Sequence, residues 1–454
     1  MKKNYISNRG YALIKENYSN SQINNIKREL TVKPFVNRNF SQQANPFPVY
    51  LESKKKLYIP KYYGINNFGK PLVDKTSEGK DIDIEFKFDL RPKQVPVAEK
   101  FLEEAKNIGG GLISVPCGFG KTVLALYILS KLKKKTIVIV HKEFLMDQWK
   151  ERIEFFLPDA SVGKIQGNII KIKDKDIVLG MLQSISMRDY DEDVFSEFGF
   201  VIYDECHHLG AEVFSKSLLK EGCKYTLGLS ATPDRSDGLT KVFKWFLGDI
   251  VYLIKQREQE DVNVKVIKYY NDDENYSDIK CNFKGQINMA SMINNICLYS
   301  PRSKIILEKL EECFLEGRKT LVLSDRREHL RYLKEKIEEK SKATSGYYLG
   351  GMKQENLKES ETKNIMLATF SMASEGFDCK ELDTIILASP KSNIEQAVGR
   401  ILRKKKEDRE RIPLIIDIID NFSVFGRQGE KRMKFYKKNK YNIDLEEINI
   451  ESDD

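Results

Sequence analysis

Seven residues, Pro116-Cys-Gly-Phe-Gly-Lys-Thr122, stand between a short apolar run and a stretch of helical periodicity. A polyphosphate needs backbone N–H donors turned toward it, and Gly118 and Gly120 let a loop bend tightly and come close. Pro116, Cys117 and Phe119 complete that loop. From it Lys121 reaches the terminal phosphates and the Thr122 hydroxyl can coordinate Mg²⁺. The strict phosphate-loop pattern has glycine where Val115 stands, so the match is partial. An ordinary glycine turn is the competing reading, and the strand before and helix after weigh against it.

Phe200-Val-Ile-Tyr-Asp-Glu-Cys-His-His208 follows about 80 residues later. Two acids at the end of a buried strand face a phosphate loop in a doubly wound sheet. Asp204 would hold Mg²⁺ through water, and Glu205 would orient or deprotonate the attacking water. His207 would link that site to its surroundings. A zinc site from His207 and His208 lacks further ligands at useful spacing. In Leu229-Ser-Ala-Thr-Pro the hydroxyls of Ser230 and Thr232 can bond to the acid–histidine strand and report its state. Gln396, Arg400 and Arg403, in Gln396-Ala-Val-Gly-Arg-Ile-Leu-Arg403, share one face if that stretch is helical. Arginines offered by one domain to a phosphate held by another make closure depend on the nucleotide. Taken alone, the stretch also reads as a solvated basic helix end.

These groups need a scaffold, and the apolar pattern supplies one. Gly111 to Val115, Thr136 to Val140, Ile177 to Gly180, Phe200 to Tyr203 and Tyr225 to Ser230 read as buried strands, with a helix from Glu143 to Phe156. Strand–helix alternation predicts an α/β fold, a parallel sheet with helices on both faces. It resumes with strands at Thr320, Asn364, Thr384 and Leu414 and helices over Glu328–Lys340 and Ile394–Leu402. The expected domains are an accessory one over 1–85 and α/β domains over 86–255 and 299–425. A connecting segment over 256–298 joins them, and a charged tail fills 426–454.

The net charge of +9 is unevenly spread. Residues 1–80 hold fifteen Lys/Arg against five Asp/Glu, and 403–440 thirteen against six. Two basic stretches around a near-neutral middle suit a polyanion. Basic groups alternate with rings at Tyr50, Lys54, Tyr58, Lys61, Tyr62 and Tyr63, as stacking on nucleic acid requires, although packing explains the tyrosines equally well. The seven cysteines include no C-x-x-C pair. No run approaches the roughly 20 apolar residues of a membrane span. A cytoplasmic protein without membrane association is the expectation.

Leu90-Arg-Pro-Lys-Gln94, Gly118 to Thr122, Asp204-Glu-Cys-His207, Ser230-Ala-Thr232, Thr369 to Asp378 and Gln396 to Arg403 together resemble the ordered motifs of superfamily 2 helicases, over about 86–425. The DEcH box and the run Ala231 to Gly238 resemble the XPB group. The stretch Asp204 to Asp249 resembles the transcript-release helicases of poxviruses and other large cytoplasmic DNA viruses. The resemblance implies two tandem RecA-like domains, ATP and Mg²⁺ as cofactors, and a monomeric motor on single- or double-stranded DNA. It also implies that Gln94 meets adenine with Arg91 beside it, and that Gly376 and Asp378 lie near the nucleotide. Lys142, Gln148, Gln183, Ser184, Ser324, Arg326 and Thr369 would line the nucleic-acid track. XPB proteins carry Arg-Glu-Asp where this chain has Arg235-Ser-Asp237, which leaves the duplex-opening role of that glutamate without a bearer here.

The residues therefore read as an ATP-driven motor on a polyanion, and the resemblance implies a DNA helicase or translocase. Transcript release, with transcription machinery as partner, follows from the resemblance alone. An RNA-directed DExH remodeller and an ATP-gated clamp that does not move are the alternatives, and the intact acid pair and arginines argue against the clamp.

Overall fold

The computed structural model describes the chain apart from residues 1–2, 36–44, 117, 192, 207–210, 219, 221, 232–237, 255–258, 284, 376–378, 405 and 451–454. The chain forms two compact units, Met1–Gln256 and Arg257–Asp454.

In the first unit eight strands lie in the order Ile169–Lys171, Val162–Gln166, Ile177–Met181, Thr136–Val140, Phe200–Tyr203, Tyr225–Ser230, Gly110–Ser114, Ile250–Leu253. All neighbours pair in parallel except the hairpin formed by the first two. The central strands are buried along their whole length, which is why they read as unbroken apolar runs. Because they run in parallel, Ser114, Val140, Met181, Tyr203 and Ser230 all end at one edge of the sheet. The segments singled out for chemistry leave the sheet from that edge. Helix Glu143–Phe156 buries Leu145, Met146, Trp149 and Ile153, one stripe of its surface.

The first 85 residues form a four-stranded antiparallel sheet, in the order Tyr5–Ser7, Gly10–Ile14, Lys56–Ile59, Leu51–Glu52. Helix Asn20–Glu29 packs with it and starts from a reciprocal capping box between Ser19 and Gln22. This region is not a separate body. Helix Lys61–Phe68 sets Tyr63 edge-on against Trp245 at 5.3 Å and bonds the Tyr62 hydroxyl to Thr226 Oγ1 at 2.9 Å. The two parts share one apolar core.

The second unit is a seven-stranded, wholly parallel sheet. Its order is Ser345–Tyr348, Ile365–Ala368, Thr320–Leu323, Thr384–Leu387, Leu414–Asp420, Asn263–Asn271, Asn442–Ile450. Two expectations from sequence are corrected here. Residues 256–298 do not merely connect: Asn263–Asn271 is an inner strand, and Tyr276, Met292 and Ile296 enter the core. The charged tail expected over 426–454 contributes to the fold as far as residue 450, since helix Ser423–Lys438 buries Tyr436 and Asn442–Ile450 is the edge strand. The edge strand carries charge on both faces, Glu446 near Lys265 and Glu447 near Lys268, and so reads as solvated.

Two buried ion pairs hold these late additions. Arg302 meets both oxygens of Asp420 and the Ala388 carbonyl, and the Tyr276 hydroxyl donates to the same carboxylate at 2.6 Å. Arg432 and the Tyr436 hydroxyl likewise satisfy Asp417.

Candidate active site

Gly118 and Gly120 take φ of +82° and +94°, a region closed to most other residues, so the loop turns where the sequence provides glycine. Gly120 caps helix Lys121–Leu132. The helix therefore starts with its unpaired N–H groups at the loop, the arrangement that receives phosphate. Lys121 and Thr122 occupy its first turn and are half-buried. Phe119 turns inward and packs in the core.

Gln94 is buried, and its amide braces this loop. Nε2 donates to the carbonyls of Phe119 at 3.0 Å and Gly120 at 3.4 Å, while Oε1 accepts from the Arg91 N–H at 3.0 Å. Arg91 itself is exposed beside it.

The acid pair follows strand Phe200–Tyr203. Lys121 Nζ lies 3.0 Å from Glu205 Oε1, so the loop cation and the second acid face each other directly. Glu205 has φ +46°, an uncommon left-handed conformation for a residue with a side chain. Such backbone strain concentrates where a side chain must be aimed. Asp204 is buried; its Oδ1 accepts from the Glu205 N–H at 2.9 Å and its Oδ2 from Trp149 Nε1 at 2.8 Å. Burial first, and repulsion from Glu205 second, raise its pKa above the ordinary carboxylate range.

Trp149 was not singled out from the sequence. A signal was there: an indole on the apolar face of a helix must still satisfy its N–H, and the acid that ends the neighbouring strand is a ready partner. Ser230 is buried at the end of its strand, in register with Ser114. Cys117, His207, Thr232, Gly376 and Asp378 lie outside the described residues.

Along the same edge, Gln183 Nε2 donates to the His141 carbonyl at 2.9 Å, bringing the segment after Met181 beside Lys142. Lys142 precedes helix Glu143–Phe156, with its ammonium 5.8 Å over the Phe144 ring, and Gln148 is half-buried on that helix. The Ser184 hydroxyl accepts from the Gly167 N–H at 2.9 Å, which ties the hairpin turn to this segment.

In the second unit Ser324, Arg326 and Thr369 also follow strand ends at one edge. Ser324 differs from what the resemblance implies. It is fully buried, bonded to His329 Nδ1 at 3.1 Å, and accepts the Arg326 N–H at 3.2 Å. It therefore shapes its loop rather than facing outward. The Arg326 guanidinium bonds to Asn294 and, at 2.9 Å, to the Ala290 carbonyl. Thr369 is half-buried, its hydroxyl 3.2 Å from Ser371 Oγ. The helix expected over 394–402 is shorter, Glu395–Val398, and continues as tight turns with Arg400 N bonded to Ala397 O. Gln396 and Arg403 are half-buried; Arg400 is buried, its Nε bonded to the Ala373 carbonyl.

A phosphate loop, an acid pair and two parallel-sheet units define the class as nucleotide-hydrolysing motors. Residues 87–235 match the family described as type III restriction enzyme, res subunit, and residues 304–405 match the helicase conserved C-terminal domain. A chain of Acanthamoeba polyphaga mimivirus, named as the ATP-dependent RNA helicase L396, is 38% identical over 97% of this chain and 86% of its own length. One of Invertebrate iridescent virus 6, named helicase 161L, is 28% identical over 84% and 88%. A solved fragment titled as an HsdR subunit of a type I restriction enzyme from Vibrio vulnificus YJ016 shares the fold. Its TM-score is 0.55 at 18% identity, covering 81% of this chain and 70% of that one. The chain belongs to the superfamily 2 helicases, with relatives in large DNA viruses. It is an enzyme that binds and hydrolyses ATP and acts on nucleic acid. Among the described residues no helix is long and apolar enough to cross a membrane.

Proposed function

We propose that this helicase is an XPB-like DExH translocase that moves along DNA, and that the Lys121–Glu205–Asp204 constellation powers it. The observation that carries the reading is that one sheet edge presents both the phosphate loop with this acid pair and the Lys142 and Gln183 segments. The strand that ends at the acid pair adjoins the strand that leads to Lys142, so a change at the acids is one strand away from a change at the track.

In this reading Lys121 binds the terminal phosphates, and Glu205 aims and deprotonates the attacking water. Gln94 keeps the loop in shape while the nucleotide enters. Carboxylate and hydroxyl oxygens at Asp204 and Thr122 are the hard donors that Mg²⁺ takes, with phosphate and water completing its shell. When bound, Mg²⁺ neutralises charge on the phosphate oxygens. Ser230 transmits the state of the acid strand. Arg400 and Arg403 supply positive charge for turnover, and Gln396, an uncharged amide in the same stretch, can only hydrogen-bond beside them. Lys142, Gln148, Gln183, Ser184, Arg326 and Thr369 serve the nucleic-acid track, with Ser324 bracing it from within. A monomeric motor working with transcription machinery in a cytoplasmic compartment fits the viral relatives.

The name of the mimivirus relative favours a second reading, action on RNA. Steady-state ATPase with single-stranded DNA, duplex DNA and RNA of matched length separates the two. Stimulation by DNA is expected; stimulation by RNA alone would replace the DNA reading.

A further inference from the structure

The hairpin of strands Val162–Gln166 and Ile169–Lys171 serves no part of the nucleotide site, yet its tip is held with care. Ile169 pairs with Gln166, leaving a two-residue turn of Gly167 and Asn168. Gly167 has φ +59°, as the first position of a tight hairpin turn requires. The Gly167 N–H donates to Ser184 Oγ at 2.9 Å, and the Gly167 carbonyl accepts from the Tyr190 hydroxyl at 2.9 Å. Arg188 bonds to the Asn168 side chain. Strand Val162–Gln166 runs parallel to Ile177–Met181, so this tip sits at the sheet edge that carries Gln183 and Ser184.

What the tip displays is unusual. Ile169 and Ile170 are 44% and 43% exposed, and Met187, just before Arg188, is 79% exposed. The strand ends at Lys171, and Lys173 and Lys175 follow in and after the next turn, with Asp174 between them. The base of the hairpin is by contrast anchored: Ile165 is buried in the core and the Ile172 carbonyl accepts from Lys135 Nζ at 2.7 Å. A fixed turn, an exposed pair of β-branched residues and a lysine row describe a surface built for a ligand both apolar and anionic. Duplex DNA has that chemistry, since apolar side chains seat against base steps while lysines take the phosphates on either side.

We propose that the hairpin Val162–Lys171 is a duplex-gripping element: Ile169, on the strand face it shares with Lys171, seats against a base step, Ile170 covers the opposite face of the strand, and Lys171 and Lys173 take the phosphates. The proposal rests on the DNA-translocase reading. On this basis the hydroxyl of Ser184 acts by setting the hairpin rather than by touching DNA.

The test compares the affinity of the full chain for duplex and single-stranded DNA of matched length, by fluorescence anisotropy, with duplex-stimulated ATPase alongside. Ile169→Ser/Ile170→Ser is expected to cut duplex affinity about tenfold more than single-strand affinity, as loss of a base-step wedge should. Ile169→Leu/Ile170→Leu, which keeps the apolar volume, is expected to retain the wild-type ratio. Lys171→Gln/Lys173→Gln is expected to flatten the salt dependence of duplex binding by about two ions' worth. Thermal midpoints equal to wild type establish that each variant is folded. A serine variant whose duplex-to-single-strand ratio matches wild type, in a protein whose ATPase duplex DNA stimulates, overturns the hairpin assignment alone. A wild-type protein that no DNA stimulates overturns the DNA reading and this assignment with it.

Discussion

Trp149 Nε1 lies 2.8 Å from Asp204 Oδ2, a buried hydrogen bond between the helix that follows Lys142 and the acid that ends the next strand. It fixes the rotamer of a carboxylate whose other oxygen is held by the Glu205 N–H. Bonds to charged groups contribute about 1.5–3 kcal/mol, so Trp149→Phe should lower kcat/KM for ATP roughly 10- to 100-fold. Phenylalanine keeps most of the volume, and the variant should stay folded. A midpoint of unfolding near wild type with unchanged kinetics would show that the indole N–H does not serve the acid.

The Lys121–Glu205 pair, at 3.0 Å, predicts two different failures. Lys121→Ala removes the phosphate contact, and both nucleotide binding and turnover should be lost. Glu205→Gln should abolish turnover while a fluorescent ATP analogue still binds, because the carboxylate is assigned to the water and not to the nucleotide. Hydrolysis at the wild-type rate in either variant would remove that residue from the site.

His329 gives the second unit an acid limit. It is buried against Ser303 and Ser324, and burial, then the Arg302 charge, pushes its pKa from 6.5 down to about 3. The folded chain refuses a proton that the unfolded chain accepts. Stability from this site is thus complete above pH 6.5 and drains away as pH falls toward 3, by up to about 1.4 kcal/mol per pH unit. Urea unfolding at pH 7.5 and pH 5 should show the loss, and His329→Gln should flatten it. A slope identical in the variant would assign the acid sensitivity to other groups.

Asp420 receives Arg302 and Tyr276 at full burial. Arg302→Met leaves that carboxylate without its counter-charge, and breaking such a pair costs about 3–5 kcal/mol. Chemical denaturation of the variant should show the second unit melting early. Arg302→Met combined with Asp420→Leu should recover much of the loss, since an apolar pair needs no desolvated partner. A single variant as stable as wild type would mean that the pair contributes nothing net.

The local chemistry of the phosphate loop was legible in the chain because glycine spacing, a following helix and a preceding strand are contiguous in sequence. The central strands were legible for a similar reason: burial on both faces demands unbroken apolar runs such as Thr136 to Val140. The inner strand Asn263–Asn271 and the edge strand Asn442–Ile450 read as connection and tail. Alternating Lys, Glu and Asn mask a strand until the partner that covers its other face is known. Trp149 and Asp204 are 55 residues apart, and the indole finds the carboxylate because strand Thr136–Val140, which leads into the helix of Trp149, pairs in parallel with strand Phe200–Tyr203. Ser324 shows the converse. Its place after a strand was readable, but whether its hydroxyl faces outward or inward depends on His329 behind it, and burial is a property that only the assembled fold confers.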